Sequence, residues 1–333
     1  MRDLSLSYGP GEFAVDFNIL HDWRGAHSYP LTAIHATIEP IASFVEPQAL
    51  VVNRLKRHIS IMAKLFNERT RLTQMQDIAG CRVIMSDVDK VRAFVEAYRA
   101  HGELHELDHV DDYINRPRDS GYRGVHLIYR FKSNSSHTKP YDRMKVEIQA
   151  RTILQHAWAT AVETVGTFTD QALKSSQGQA DFLRFFRLMG SCMAIKEGTP
   201  LVPGTPENES GLVDELRKVE RRLDFRRRFE VYGHAVHEDR SYLFGAEYYL
   251  LDLDLSSRRV SVTGFSNAEL SKAQAAYGEA EQSIDKDDPR QVVLVKASSL
   301  DELRSAYRNY YLDTNEFNAV VSEFLQESAP LLF

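Results

Sequence analysis

The apolar positions in the first two thirds of the chain follow two different periods, and their order predicts a sheet flanked by helices. Apolar residues recur every three or four positions in residues 31–44 and 88–95, which is the spacing of helices that bury one face. Apolar and β-branched runs at residues 78–85, 125–131 and 145–151 indicate strands instead. Because helices and strands are interleaved, we expect an α/β (α+β) fold with a mixed sheet of about five strands.

Two of these predicted strands carry polar residues that suit chemistry. The segment KVEIQAR at residues 145–151 alternates strictly, so that Glu147 and Gln149 share one face with the cations at either end. A strand that is merely half-buried does not require such a row. Asp77 precedes the run 78–85, which is apolar enough to be buried on both faces. An acidic residue at the end of a strand suits either a metal ion or the capping of a turn.

The segment DDYINRPRDSGYRGVH at residues 111–126 contains more chemistry than a fold requires. Pro117 bars a helix there, so the segment is predicted to be a loop that leads into a strand. Tyr122 lies between glycines, and three arginines surround it in the sequence: Arg116, Arg118 and Arg123. The loop could stack a base and hold phosphates, or it could be a solvated basic turn.

A second basic segment, RLKRHISIMAKL, runs from a short predicted strand into an amphipathic helix at residues 54–65. Its cations are Arg54, Lys56, Arg57 and Lys64. Basic side chains near the start of a helix favour anions such as a polyphosphate. A solvated basic helix face is the alternative interpretation.

The last third of the chain predicts a smaller α+β module. Residues 198–210 are rich in proline and glycine and are predicted to form a linker. An amphipathic, arginine-rich helix is predicted at 211–232, followed by strands at 247–255, 259–265 and 291–296 and by helices at 268–285 and 300–326. No catalytic constellation is recognisable in this part of the sequence, so the role of the module stays open.

Composition narrows the class of protein. The 333 residues are 43% hydrophobic and 26% charged, which fits a folded protein of two domains. The net charge of −6 argues against a general nucleic-acid binder, although local basic clusters can still bind anions. The two cysteines indicate neither a disulfide framework nor a zinc site. Without a signal sequence or a membrane-length apolar run, we expect a soluble cytoplasmic protein with no membrane partner.

Four phrases taken together are more specific than any one alone. RLKRHISIMAKL, QDIAGCR, DDYINRPRDSGYRGVH and VEIQART resemble, in order and spacing, the synthetase domain of the RelA/SpoT family, and in particular small alarmone synthetases. The resemblance implies a nucleotidyltransferase-like domain at residues 1–197 with its core at 48–170, followed by the linker at 198–210 and the module at 211–333. It also implies a GTP/GDP pyrophosphokinase, which moves the β,γ-pyrophosphate of ATP onto the 3′-hydroxyl of GDP or GTP and releases AMP.

The same resemblance implies roles for individual residues. Asp77 and Glu147 match the catalytic carboxylates that bind Mg²⁺, and Glu147 could also accept the proton of the attacking hydroxyl. The residues that match groups holding the phosphates of ATP are Arg54, Lys56, Lys64, Arg82 and Arg118. Those that match the acceptor nucleotide's contacts are Tyr122, His126 and Gln149.

Departures from the family pattern leave the acceptor open. The phrase HVDD at residues 109–112 resembles the E-x-D-D of synthetase-only enzymes with histidine replacing glutamate, and Arg118 and Ser120 stand where lysine and asparagine are frequent. Toxic relatives that pyrophosphorylate the 3′-CCA end of tRNA share several of these phrases, and the C-terminal module would then be an antitoxin or a sensor. A third alternative is a catalytically inactive nucleotide-binding regulator. A homo-oligomer and a regulator bound to the module are compatible with each.

Overall fold

The computed structural model describes residues 19–56, 61–62, 64–65, 70–101, 104–169, 176–229, 245–246, 248–254, 259–283, 290–296 and 310–326. The chain forms two compact units. The first contains residues 1–116 and 123–153, and the second contains residues 117–122 and 154–333. None of the helices within the described ranges is long and apolar enough to cross a membrane.

The first unit is a five-stranded mixed sheet with helices, as predicted. Its helices are α1 (Ser28–Val45) and α2 (Val88–Ala100), and its strands are β1 (Leu50–Leu55), β2 (Ala79–Met85), β3 (Glu106–Asp112), β4 (Val125–Arg130) and β5 (Lys145–Thr152). The strand order is β1-β2-β5-β4-β3. Only β2 and β5 pair in parallel among these neighbours, and the other three pairings are antiparallel.

One face of this sheet is apolar because alternate residues of each strand are apolar. Val146, Ile148 and Ala150 of β5 are fully buried in a core that also contains Ile34 of α1 and Phe94 of α2. Burial of such side chains is the main favourable term for the fold. The helices therefore cover one face of the sheet, and the polar row of β5 lies on the other.

The expectation that the strand after Asp77 is buried on both faces holds only in part, because Ile84 is buried but Gly80 and Arg82 on the same face are not. Cys81, Val83 and Met85 of β2 are buried in the helix-covered core, whereas Gly80 and Arg82 are only partly buried. A glycine and an arginine inside an apolar run thus mark the polar face of the sheet. Because most residues of the run are apolar, this alternation was not recognised in the sequence.

The second unit contains a helical layer and a small sheet. Its elements are α3 (Ile153–Thr169), α4 (Ser176–Glu197), α5 (Glu209–Leu223), β6 (Tyr248–Asp254), β7 (Arg259–Phe265), α6 (Leu270–Gln282), β8 (Arg290–Lys296) and α7 (Tyr310–Gln326). The sheet has the order β7-β6-β8 with antiparallel pairing throughout. Phe185, Phe225 and Phe317, from three separate helical segments, meet in its core. The predicted α+β character of the C-terminal part is confirmed for the described residues.

The segment predicted to be a linker packs against α4. Val202 is buried, and its backbone amide donates a hydrogen bond to Oγ of Ser191 at 2.9 Å. Oγ1 of Thr205 pairs with the same Ser191 oxygen at 2.7 Å. By contacts the two units divide between residues 153 and 154, and the domain boundary expected at 198–210 stays a prediction. Gly198 and Gly204 have positive φ angles, as turns in this segment require.

Candidate active site

Two adjacent rows of side chains cross the polar face of the first unit's sheet. In one row a glycine of β2 separates Arg54 on β1 from Glu147 on β5. In the next row Arg82, Gln149 and His126 pair across β2, β5 and β4. The sheet register thereby collects residues that are far apart in the sequence, and all five are among the residues predicted for the site.

Asp77 lies just before β2 and forms ion pairs with two lysines. Its Oδ2 accepts hydrogen bonds from Nζ of Lys56 at 2.7 Å and from Nζ of Lys64 at 3.2 Å. Burial raises the pKa of Asp77, but the hydrogen bonds and charges of the two lysines outweigh burial and lower the pKa below its ordinary value. Its other oxygen, Oδ1, is buried and accepts no hydrogen bond from any residue that the structure describes. Asp77 is therefore ionised, with one oxygen available to a cation.

Glu147 is held by a histidine of the neighbouring strand β4 and by a glutamine of its own strand β5. Its Oε1 lies 2.8 Å from Nδ1 of His126, and its Oε2 accepts a hydrogen bond from Nε2 of Gln149 at 2.7 Å. Oε1 of Gln149 in turn accepts from Nη2 of Arg151 at 2.7 Å. This chain of hydrogen bonds fixes the carboxylate's orientation on the polar face of β5.

The pKa of Glu147 shows that the two carboxylates interact. Burial raises its pKa, whereas the hydrogen bond and charge of His126 and the hydrogen bond from Gln149 lower it, and the net effect is a lowered pKa. The negative charge of Asp77 acts in the opposite direction and raises the pKa of Glu147. Both carboxylates line the same cavity, which agrees with this effect of Asp77 on Glu147.

A cavity of about 190 Å³ joins these groups. The predicted site residues that line it are Arg54, Lys56, Asp77, Arg82, Glu147 and Gln149. Lys64 and His126 connect to it through Asp77 and Glu147, respectively. The first unit thus brings eight predicted residues into one cluster.

The remaining two predicted residues, Arg118 and Tyr122, belong to the second unit. Cζ of Arg118 lies over the Tyr122 ring, 5.9 Å from its centroid. The ring of Tyr122 also meets Trp158 edge-on, with 6.3 Å between the ring centroids. The loop therefore presents a guanidinium group and an aromatic ring side by side.

Helix α4 holds this loop closely. Gly121 has φ +99°, and a Cβ atom at this position would come within 2.7 Å of the Phe186 carbonyl oxygen. Nε of Arg187 donates a hydrogen bond to the carbonyl oxygen of Asp119. Only glycine combines this backbone conformation with so close an approach.

The interpretation of Arg123 as one of three arginines around the aromatic ring is wrong. Arg123 is buried in the first unit, and its Nη1 donates a hydrogen bond to the carbonyl oxygen of Ile114 at 3.2 Å. Asp112 of the HVDD phrase is likewise structural, because its carboxylate forms two hydrogen bonds with Arg92, at 2.7 and 3.1 Å. Sequence reasoning missed Arg151 as part of the site, although its parity on β5 placed it on the polar face.

The donor set fits a small divalent cation that keeps some non-protein ligands. No group of three or more His, Cys, Asp and Glu residues in the described ranges could form a metal cage. Two neighbouring carboxylates, one with a buried oxygen that lacks a hydrogen bond, match instead the usual way of holding Mg²⁺ together with substrate phosphates. Asp77 and Glu147 are the residues that could hold it.

Known proteins resemble this part of the chain. Residues 53–168 match the family model described as "Region found in RelA / SpoT proteins". GTP pyrophosphokinase YwaC of Bacillus subtilis is 34% identical over 136 residues, which is 40% of this chain and 61% of that protein. GTP pyrophosphokinase YjbM of the same organism is 29% identical over 126 residues, which is 38% of this chain and 55% of that protein.

The chain thus spans less than two thirds of the length of these curated relatives. Among solved structures, small alarmone synthetase 1 from Bacillus subtilis covers 54% of this chain and 92% of its own, with 20% identity and a TM-score of 0.45. The resemblance to the RelA/SpoT family that the sequence suggested is confirmed for residues 53–168.

Proposed function

We propose that the RelA/SpoT region of this chain is a GTP/GDP pyrophosphokinase. The observation that carries this proposal is the cavity of about 190 Å³ in which two interacting carboxylates meet cationic side chains. The names of the curated relatives, GTP pyrophosphokinases, point to the same reaction. In this reaction the acceptor's 3′-oxygen bonds to the β-phosphorus of ATP, the bond from that phosphorus to the α,β-bridging oxygen breaks, and AMP leaves with that oxygen while the hydroxyl proton passes to solvent.

The cations of the cluster suit the polyphosphate of ATP. Arg54, Lys56 and Arg82 line the cavity, and Lys64 reaches it through Asp77. Four positive side chains face two carboxylates, so the cluster has an excess of positive charge that an anion would balance. Positioned cations also stabilise the charge that develops on transferring phosphoryl groups.

Asp77 and Glu147 are proposed to hold Mg²⁺, which when bound would neutralise negative charge on the donor phosphates. His126 and Gln149 orient Glu147 for this role through their hydrogen bonds. The lowered pKa of Glu147 makes this carboxylate a poor proton acceptor near neutral pH. We therefore favour the role of cation ligand over that of general base.

Tyr122 and Arg118 are proposed to contact the nucleotides. Stacking of a base on an aromatic ring is worth about 1–3 kcal/mol, and a nearby guanidinium group suits a phosphate. The net charge of −6 favours a free nucleotide as acceptor, because a tRNA would need phosphate contacts beyond the nucleotide pocket.

Identification of the product tests the proposal. The purified chain would receive γ-labelled ATP with GDP, GTP and deacylated tRNA, first separately and then together, and the products would be resolved by thin-layer chromatography and gel electrophoresis. We expect AMP and a labelled guanosine tetra- or pentaphosphate. Labelled tRNA would instead show that the acceptor is the CCA end of tRNA and not a nucleotide. ATP binding without AMP release would indicate an inactive regulator.

A further inference from the structure

A second, larger cavity lies on the helix-covered face of the first unit's sheet. It has a volume of about 520 Å³ and is formed by α1, the end of α2, the segment that follows α2, and β4. Tyr129 of β4 lines it, and the next residue towards the N-terminus, Ile128, pairs with Glu147 on the opposite face. Since neighbouring residues of a strand point to opposite faces, the sheet separates this cavity from the candidate active site.

The wall of this cavity is mostly carbon. Pro40, Ile41 and Phe44 contribute from α1, and Leu104 contributes from the segment after α2. Phe44 and Leu104 are 88% and 62% exposed, respectively, although both are large and apolar. The described lining residues include two histidines, His101 and His105, each with a ring nitrogen hydrogen-bonded to the backbone, but none with a carboxylate, an amine or a guanidinium group. The chemistry of the wall therefore disfavours a nucleotide or another strongly charged molecule.

One polar atom of a lining residue lacks a hydrogen bond within the described part of the chain. The Tyr129 side chain is 1% exposed, and its hydroxyl makes no hydrogen bond with any described residue. The neighbouring Tyr98 hydroxyl, by contrast, pairs with Oγ1 of Thr37 at 2.9 Å. A buried polar group without a hydrogen bond costs about 1–3 kcal/mol, so such groups usually acquire a ligand or a water.

We propose that this cavity binds a small, uncharged and mainly apolar molecule whose single oxygen acceptor takes a hydrogen bond from the Tyr129 hydroxyl. A volume of 520 Å³ lies within the range of small-molecule sites, about 300–1,000 Å³. Burial raises the pKa of Tyr129 in spite of the opposing charge of Arg99, so the phenol stays protonated and donates. The exposed apolar rim at Phe44 and Leu104 gives such a molecule a path of entry.

A neutral fluorescent ketone tests this proposal on the full chain. The probe is 6-propionyl-2-(dimethylamino)naphthalene, which has a bicyclic apolar body, a ketone acceptor, and emission that shifts to the blue in apolar surroundings. We expect saturable binding at one site with a blue shift. Tyr129→Phe removes the donor and keeps the ring, so the dissociation constant should rise about threefold to tenfold.

Two substitutions on α2 form a matched pair. Ala97 lines the cavity, and Ala97→Phe should abolish the blue-shifted binding by filling the space. Ala100 is exposed on the same helix, and Ala100→Phe should bind the probe as the unaltered chain does. If Ala97→Phe melts at a lower temperature than Ala100→Phe, the smaller Ala97→Leu replaces it.

Three results would overturn the proposal. Emission that never saturates, or that does not shift, would show that the cavity takes no such molecule. Binding that survives both Ala97→Phe and Tyr129→Phe would place the probe elsewhere. Binding that Ala97→Phe abolishes but Tyr129→Phe leaves unchanged would show that the hydroxyl has another partner, such as a bound water.

Discussion

Gly121 provides a sharp test of how the Tyr122 loop is held. We predict that Gly121→Ala destabilises the second unit, because the new Cβ atom would lie 2.7 Å from the Phe186 carbonyl oxygen and 3.0 Å from Cζ2 of Trp158. A left-handed backbone costs a non-glycine residue about 1–2 kcal/mol, and overpacking costs about 1–3 kcal/mol. The free energy of unfolding should therefore fall by about 2–5 kcal/mol.

The sequence offers controls and a local probe. Gly198 has φ +61°, and a Cβ atom added there would meet no atom within 4 Å, so Gly198→Ala should cost only about 1–2 kcal/mol. Gly166 lies in α3 with open space around it, and Gly166→Ala should stabilise by about 0.5–1 kcal/mol. The chain has two tryptophans, so a Trp23→Phe background leaves Trp158 as the fluorescent reporter during urea unfolding.

The relative stabilities of the three glycine variants show whether the loop lies against α4. If Gly121→Ala loses no more stability than Gly198→Ala, the loop does not lie against α4 as described, and the argument that this contact positions Tyr122 fails. A clearly larger loss in Gly121→Ala than in Gly198→Ala would support the close approach. Because the chain has two units, the unfolding curve followed at Trp158 has to be compared with circular dichroism before one free energy is assigned.

Three further predictions concern the first unit. Lys56→Met should raise KM for ATP roughly tenfold to a hundredfold with little change in melting temperature. The control Lys139→Met, at an exposed lysine, should leave KM for ATP unchanged. An unchanged KM in Lys56→Met would show that Lys56 does not bind the donor. Burial raises the pKa of Glu147, but the contact with His126 outweighs burial and holds the pKa in the folded protein below the ordinary 4.5. The stability that the ionised Glu147 contributes is therefore fully present above pH 4.5, and it is lost as the pH falls through the pKa of the folded protein. Urea titrations at decreasing pH should show a shallower acid loss of stability in Glu147→Gln, and equal loss would contradict the pairing. Arg123→Met should cost about 1–3 kcal/mol of stability by removing a donor from a backbone carbonyl, without raising KM for ATP, whereas a raised KM would restore this arginine to the phosphate site.

The sheet and its polar row were predictable from the sequence because a strand's period of two is a local signal. The strand predicted at 145–151 is observed as Lys145–Thr152, and the strand predicted at 259–265 is observed as Arg259–Phe265. The alternation of side chains along a strand was enough to place Glu147 and Gln149 on one face. The resemblance to a known family added which distant residues would join them.

Features that depend on long-range packing were not predictable. The proline- and glycine-rich segment around Val202 has the composition of a linker. No signal in the neighbouring sequence reveals that the backbone amide of Val202 donates a hydrogen bond to Ser191. Arg123 is one of three similar arginines in sequence, and only the fold shows that it is buried against Ile114. The Tyr129 cavity also has no sequence signature, because its wall comes from segments that each resemble ordinary core.

The central claim is that Asp77 and Glu147 together hold the divalent cation that presents the phosphates of ATP. Calorimetric titration with α,β-methylene-ATP, which resists cleavage between its α- and β-phosphates, tests this claim without turnover. The account predicts that Mg²⁺ tightens binding about tenfold or more in the unaltered chain and in the exposed-surface control Glu96→Gln, but not in Asp77→Asn or Glu147→Gln. An equal effect of Mg²⁺ in all four proteins would contradict it.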